Sequence, residues 1–202
     1  MISFRKDFAC WWPDYDHKPE ACFKKVMSRI RDMDYALGLC KDFKACIQAG
    51  GHAGHWAKRL SGRFEEVFTF EPERELYDCL IKNTVTISNI NPRPYALGAF
   101  VGSVKLIPHP SAGSWRVGPN GIVPVPQITI DSLNLNHCGA IFLDIEGYEV
   151  EALKGAADTI KRLSPVLHLE LLPRSREDIE AHVASLGYKL RKMIHNDAVF
   201  TR

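Results

Sequence analysis

Along "AIFLDI", Ala140 to Ile145, apolar side chains run without interruption until an acid ends them. That pattern predicts a strand covered on both faces. "ACIQAGGHAG" from Ala45 reads as a shorter strand breaking on glycines, "EVFTFEP" from Glu66 as a second, and "PVLHLEL" from Pro165 as another. Between them lie "HWAKRLSG", ending near Gly62, "ERELYDCLIKNTV", "EVEALKGAADTIKRL" and "SREDIEAHVASLG". All four read as helices, the second with apolar residues at clear helical spacing. "YKLRKMI" and "AVFTR", joined around "HND", predict a closing hairpin. "RPYALGAFVGSVKLIP" predicts extended chain with a hairpin turning near Gly102, and the Gly- and Pro-rich "HPSAGSWRVGPNGIVPVP" predicts a loop. A helix is expected from about Glu20 to Leu39, after the aromatic, turn-rich opening "FACWWPDYDHKPEACF".

Strands alternating with helices predict an α/β fold, a mostly parallel doubly wound sheet with an antiparallel C-terminal hairpin. Residues 1–44 are expected to form a helical and aromatic cap, and 45–202 the main domain. The chain has 202 residues, 46% hydrophobic and 25% charged, enough to bury one sizeable core. Its net charge of +2 indicates neither a nucleic-acid nor a membrane partner. No apolar run approaches a bilayer span, and no signal-peptide pattern follows Met1. Cys10, Cys22, Cys40, Cys46, Cys79 and Cys138 form no C-x-x-C pair. They read as reduced thiols of a cytoplasmic protein, without zinc-site spacing.

In such a sheet, ligands bind where strands end at their carboxyl edge. The first predicted strand ends in Gln48-Ala49-Gly50-Gly51-His52-Ala53-Gly54. Glycines there permit a tight turn and close approach of a ligand to the backbone. The second ends in Glu71-Pro72, about 20 residues on, where an acid can accept hydrogen bonds from ribose hydroxyls. Gly50, Gly51 and Gly54 give G-G-x-x-G rather than the dinucleotide fingerprint, which favours S-adenosylmethionine over a nicotinamide cofactor. Asp144 ends the fourth strand and Glu146-Gly147 makes its turn. Glu149 and Glu151 suit the positive end of the helix that follows.

"FLDIEGYEVEALKGA" followed by "SPVLHLEL" resembles the signature of the FkbM-type methyltransferases. Asp144, Glu146, Gly147, Glu149, Leu153, Gly155, Ala156 and Glu170 carry it. "QAGGHAG", "FEPERELYDCLIKN", "YALGAFVG" and "ITIDSL" resemble further family motifs in order, so the likeness runs from about Ala45 to Leu172. It implies a Rossmann-like, S-adenosylmethionine-dependent enzyme. The cofactor contacts it implies are Gln48, Gly50, Gly51, His52, Gly54, Glu71, Pro72, Leu97, Gly98 and Asp144. Gln48 stands where the family usually has an acid, and is expected to meet the methionine ammonium without a charge. His52 replaces an asparagine and Phe142 a lysine.

The implied reaction is O-methylation of a hydroxyl on a sugar or related small molecule. Asp144 is the first candidate base, with Glu146 and Glu170 as alternatives. Asp144 and Glu170 are also candidate ligands for a divalent metal. His168 either shares the face of Glu170 or belongs to the core. His109, Trp115, Arg116 and Asn120, in the stretch Pro108 to Pro124, together with Tyr148, are the acceptor-side candidates. That stretch and the N-terminal segment are expected to close over the acceptor. Trp11 and Trp12 either stack on it or plug the core. Lys189, Arg191 and Lys192 fall on an edge strand, where they discourage aggregation. Gln48 and Phe142 keep a second class open, a non-catalytic nucleotide-binding or adaptor module on the same fold.

Overall fold

The computed structural model describes the whole chain, Met1–Arg202. It opens with an antiparallel hairpin of β1 (Ile2–Arg5) and β2 (Cys10–Pro13), followed by α1 (Pro19–Arg29) and α2 (Met33–Leu39). The hairpin was not foreseen, and the helix expected over residues 20–39 is broken by a 3-10 turn at Ile30–Asp32. Asp32 in that turn is buried, 3.1 Å from Nδ1 of His195, so the break turns an acid toward the sheet. Next come β3 (Ala45–Ala49), α3 (His55–Ser61), β4 (Glu66–Phe70), α4 (Arg74–Thr84) and β5 (Ile90–Arg93). Four short strands follow: β6 (Ala96–Leu97), β7 (Gly102–Ile107), β8 (Arg116–Val117) and β9 (Val123–Ile128). The chain continues with β10 (Ala140–Leu143), α5 (Glu149–Lys154), α6 (Ala157–Leu163), β11 (Val166–Glu170) and α7 (Arg176–Ser185). It closes with β12 (Lys189–Ile194) and β13 (Asp197–Thr201).

Seven strands form the main sheet in the order β12-β13-β11-β10-β3-β4-β5. All are parallel except β13, which runs antiparallel to both β11 and β12. This is the α/β sheet with an antiparallel C-terminal hairpin that the hydrophobic pattern predicts. β3, β10 and β11 are buried throughout because helices cover both faces. On one face Ile141, Leu143, Leu167 and Leu169 pack with Leu153, Ile160 and Ile179 from α5–α7. On the other, Cys46, Phe142 and Val166 pack with Met33 and Leu37 of α2 and with Trp56 and Leu60 of α3. Each large apolar side chain so buried contributes roughly 1.5–3 kcal/mol. Phe142, where the resemblance expected a lysine, is one of them.

Two expectations fail between β5 and β10. There is no hairpin at Gly102, because β7 pairs with β8 and β9, while β6 runs parallel to β9. The stretch read as a loop therefore contains β8 and most of β9, which join β6 and β7 in a second, four-stranded sheet. Pro124 and Pro126 hid β9. They lie outside Gln127 and Ile128, the two residues that pair with β6, so the proline-bearing part is paired on one side only. The helix expected over residues 149–163 is also broken, between α5 and α6. A Cβ on Gly155 would lie 2.0 Å from the carbonyl oxygen of Gly98, so the second sheet presses on the helix there. Asp131 then starts α6 afresh, accepting from the backbone N–H of Asp158 and Thr159 at 3.0 and 2.8 Å.

Candidate functional site

Strand order reverses between β3 and β10, which opens a crevice at their carboxyl ends. Gly50 follows β3 with φ +80°, and a Cβ there would lie 2.0 Å from the carbonyl oxygen of Asp144. The glycine lets the ends of the two central strands meet. The N–H groups of Gly50 and Gly51 both donate to the carbonyl of Phe70, which ties this turn to β4. Gly54, also left-handed, packs against Leu80 and Thr84 and caps α3 away from the crevice. Gln48 is fully buried. Its Oε1 accepts from the Thr69 hydroxyl and its Nε2 donates to the carbonyl of Gly50 at 2.7 Å. These bonds hold the side chain inside the protein, and it does not border the cavity described below.

Glu71 ends β4 inside the crevice, beside Pro72. Its Oε2 accepts from the N–H of His52 at 2.8 Å and its Oε1 from that of Glu73 at 2.9 Å. Burial pushes its pKa up to about 7 against those two bonds, with the Glu73 charge adding to the rise. Glu73 itself caps α4 through Glu75 and Leu76. His52 has φ +48° and a ring enclosed near Trp12, at 5.0 Å between centroids. Burial lowers its pKa to about 3, and the ring is neutral.

The turn after β10 is built from acids. Glu146 (φ +57°) and Gly147 (φ +95°) adopt left-handed conformations. Glu149 is fully buried, and its Oε1 accepts from the N–H of Ile145 and of Gly147 at 3.1 and 3.2 Å. It clasps the turn rather than decorating a helix end, and burial raises its pKa to about 7. Sequence reasoning missed this role. The signal was an acid two residues beyond a glycine that must be left-handed. Glu151 forms only an outer ion pair with Lys154. Arg174 donates to the carbonyl of Glu146 at 2.8 Å.

Glu170 ends β11, next to β10. The donor atoms of Asp144, Glu146 and Glu170 lie within 4.8 Å of one another. Burial raises the Asp144 carboxyl, with the Asp197 charge adding, while the Lys25 charge opposes the rise. Burial, Asp144 and Glu146 together raise the Glu170 carboxyl further. Beneath the cluster, Arg29 of α1 meets Asp197 at 3.1 Å, and Nε2 of His168 lies 3.4 Å from the same oxygen. His168 packs on Phe142 and Trp56, so it belongs to the core.

One cavity joins these parts. Gly50, Gly51, His52, Glu71 and Pro72 line one side, Asp144, Glu146 and Tyr148 another, and Leu97 a third. Cys22, Lys25 and Arg29 of α1 face it, as do Trp115 and Arg116. Both segments expected to close over the acceptor side thus border the cavity, and they touch through the N–H of His17 and the carbonyl of Pro110. Besides Gln48 and Gly54, three expected residues lie elsewhere. Gly98 sits against the Gln127 side chain, because a Cβ there would strike it. His109 is occupied by the N–H of Ser111, and Asn120 is exposed. Trp12 is fully buried and Trp11 lies under Lys82, 3.6 Å from its ring, so neither faces the cavity. Asn83 fixes this hairpin by donating to the carbonyls of Trp11 and Ala53. Lys189 and Arg191 lie exposed on β12, an edge strand.

The sheet order and the switch-point crevice define a Rossmann-like methyltransferase fold. The chain belongs to the methyltransferase FkbM domain family, whose profile matches residues 48–190. It is 28% identical over 108 residues to the hexuronic acid methyltransferase AglP of Haloferax volcanii, a match covering 50% of this chain and 45% of that protein. The chain thus spans about half the length of that relative. The crystal structure of the methyltransferase FkbM from Methylobacillus flagellatus superposes with TM-score 0.60 at 19% identity, covering 94% of this chain and 55% of that one. A putative methyltransferase from Streptococcus mutans in complex with SAH superposes with TM-score 0.53 at 10% identity, covering 84% of this chain and 93% of that one. These two likenesses are of fold. No helix is long and apolar enough to cross a membrane.

Proposed function

We propose that the chain is an S-adenosylmethionine-dependent O-methyltransferase acting on a hydroxyl of a carbohydrate-like small molecule. The observation that carries this reading is that Gly50, Gly51, Glu71 and Asp144 line one cavity at the switch point of the sheet. The donor set fits the cofactor. Each Glu71 oxygen accepts one backbone bond and keeps a lone pair for a ribose hydroxyl, with Pro72 and Leu97 as apolar walls. The bound cofactor supplies an activated methyl group. The protein's own part is to place an acceptor oxygen and take its proton.

The proton goes to the carboxylate of Asp144, with the Glu170 and Glu146 carboxyls within 4.8 Å of it. Tyr148, Trp115 and Arg116 border the acceptor side. Residues 1–44 act as a cap, since α1 faces the cavity and the N-terminal hairpin packs beside the glycine turn. The name of the Haloferax relative supports a sugar-like acceptor. Six free cysteines, five of them buried, fit a reducing compartment such as the cytoplasm. A screen with labelled S-adenosylmethionine across sugars, sugar acids and nucleosides tests the reading. Transfer to a sugar hydroxyl is expected. Cofactor binding without transfer to any acceptor would favour a non-catalytic binding module.

A further inference from the structure

We propose that the acceptor carries an acidic group, a carboxylate or a phosphate, and that Arg116, Lys25 and the indole N–H of Trp115 receive it. The inference rests on the methyl-transfer reading and narrows its acceptor. The cations that line the cavity are Lys25 and Arg29 from α1 and Arg116 from β8. Arg29 is bound to Asp197 at 3.1 Å. Lys25 and Arg116 enter no ion pair. The acids nearby are met from elsewhere. Glu146 has Arg174 at 3.9 Å from its carboxylate, outside the cavity. Glu71 accepts from the N–H groups of His52 and Glu73. Burial raises the Glu146 carboxyl, and the Lys25 and Arg116 charges both oppose that rise, which puts the two cations at the same end of the cavity.

Trp115 adds an independent observation. It lines the cavity one residue before Arg116, and its buried Nε1–H has no acceptor. An indole N–H hidden in this way is costly until a ligand oxygen meets it. The ring is fixed by packing on Ala96, Leu106 and Val125, and it stands 5.8 Å from the ring of Tyr15. Pairing with Ile107 holds Arg116 on its strand. A guanidinium, an ammonium and an indole N–H only donate. They match the oxygens of a carboxylate or phosphate, which only accept, and leave the proton of a neutral hydroxyl without a partner. Because Lys25 and Arg116 come from the two segments that border the cavity, an acidic acceptor bridges them.

The test has two arms. In the first, labelled S-adenosylmethionine is offered with matched sets of sugars: glucose, glucuronate and glucose phosphate, then galactose, galacturonate and galactose phosphate. An acidic member is expected to have the highest kcat/KM. Its advantage over the neutral sugar should shrink at least about tenfold in Arg116→Gln, the scale of a charged hydrogen bond. Preference for the neutral sugars, or an unchanged ratio in Arg116→Gln, overturns the proposal and leaves methyl transfer standing. If no sugar is methylated, the methyl-transfer reading fails, and the second arm decides the acid site by itself. There, heteronuclear NMR of the full chain follows the Trp115 indole N–H, assigned with Trp115→Phe. Its resonance should move saturably with an acidic sugar and stay in place with the neutral one. The acid that moves it separates carboxylate from phosphate. A resonance unmoved by every acid into the millimolar range overturns the proposal. Should Arg116→Gln fail to fold, Lys25→Gln, at an exposed position, serves instead. A weakened acid response there supports the site, and a parental one rejects it.

Discussion

Asp144 and Glu170 end adjacent parallel strands, and their carboxyl groups approach to within 4.8 Å. Two acids this close cannot both carry a full charge cheaply, so one keeps a proton while the other accepts one. Asp144→Asn removes the accepting member. It is expected to preserve the fold and most cofactor affinity while lowering turnover by roughly 10²–10⁴-fold. Single-turnover methyl transfer with a proven acceptor, beside calorimetry with S-adenosylmethionine, measures both. Near-parental turnover would move the base to Glu146 or Glu170.

Glu71→Gln should weaken S-adenosylmethionine by about 1–3 kcal/mol, the scale of a charged hydrogen bond. Glutamine keeps one acceptor for the N–H of His52 or of Glu73, so the turn survives better than in an alanine variant. Calorimetry reads the loss. Parental affinity would remove Glu71 from the cofactor site.

The buried Glu149 gives a pH signature. Its folded pKa is raised from about 4.5 to about 7. Below pH 4.5 it is protonated in both states. As pH climbs through 7 the unfolded chain releases the proton first, so stability is lost across that window, by up to about 3 kcal/mol. The half-buried His52 and His55, with lowered pKa values, act oppositely as pH falls below 6.5. The readout is therefore the Tm of Glu149→Gln minus that of the parent. That difference should become more positive between pH 5 and pH 8, because Gln keeps the Oε1 acceptor and has no charge to bury.

Two glycines should respond in opposite directions. Gly50→Ala places a Cβ 2.0 Å from the Asp144 carbonyl at φ +80°, and should cost on the order of 3 kcal/mol or more. Gly38, in α2, has nothing within 4 Å of a built Cβ, and Gly38→Ala should gain roughly 0.5–1 kcal/mol. Urea unfolding of both variants checks the contrast.

The central strands were legible because both of their faces are buried, which forces unbroken apolar runs such as Ala140 to Leu143. The acids at their ends were legible because they interrupt those runs. The second sheet was not, since Pro124 and Pro126 carry a loop's signature and its strands pair with partners distant in sequence. The break at Gly155 depends on the Gly98 carbonyl, 57 positions earlier by numbering, which no local pattern reveals. At the site, residue type located Glu71 and Asp144. It did not reveal the partners of Gln48, Thr69 and Gly50, which become visible only once β3 and β4 lie side by side. His109 was chosen for its chemistry, but its ring is used by the backbone of its own turn.

The ion pair between Arg29 and Asp197 spans 168 residues. On the ribosome, α1 emerges well before the acid that anchors it. Until Asp197 is made this helix lacks that ionic mooring, and the carboxyl edge of the growing sheet lacks that part of its cover. The same separation makes the contact a late event in refolding, because closing so long a loop is entropically costly until the strands between are paired. A chain interrupted before β13 would carry the glycine turn and the acid cluster with α1 unfastened above them.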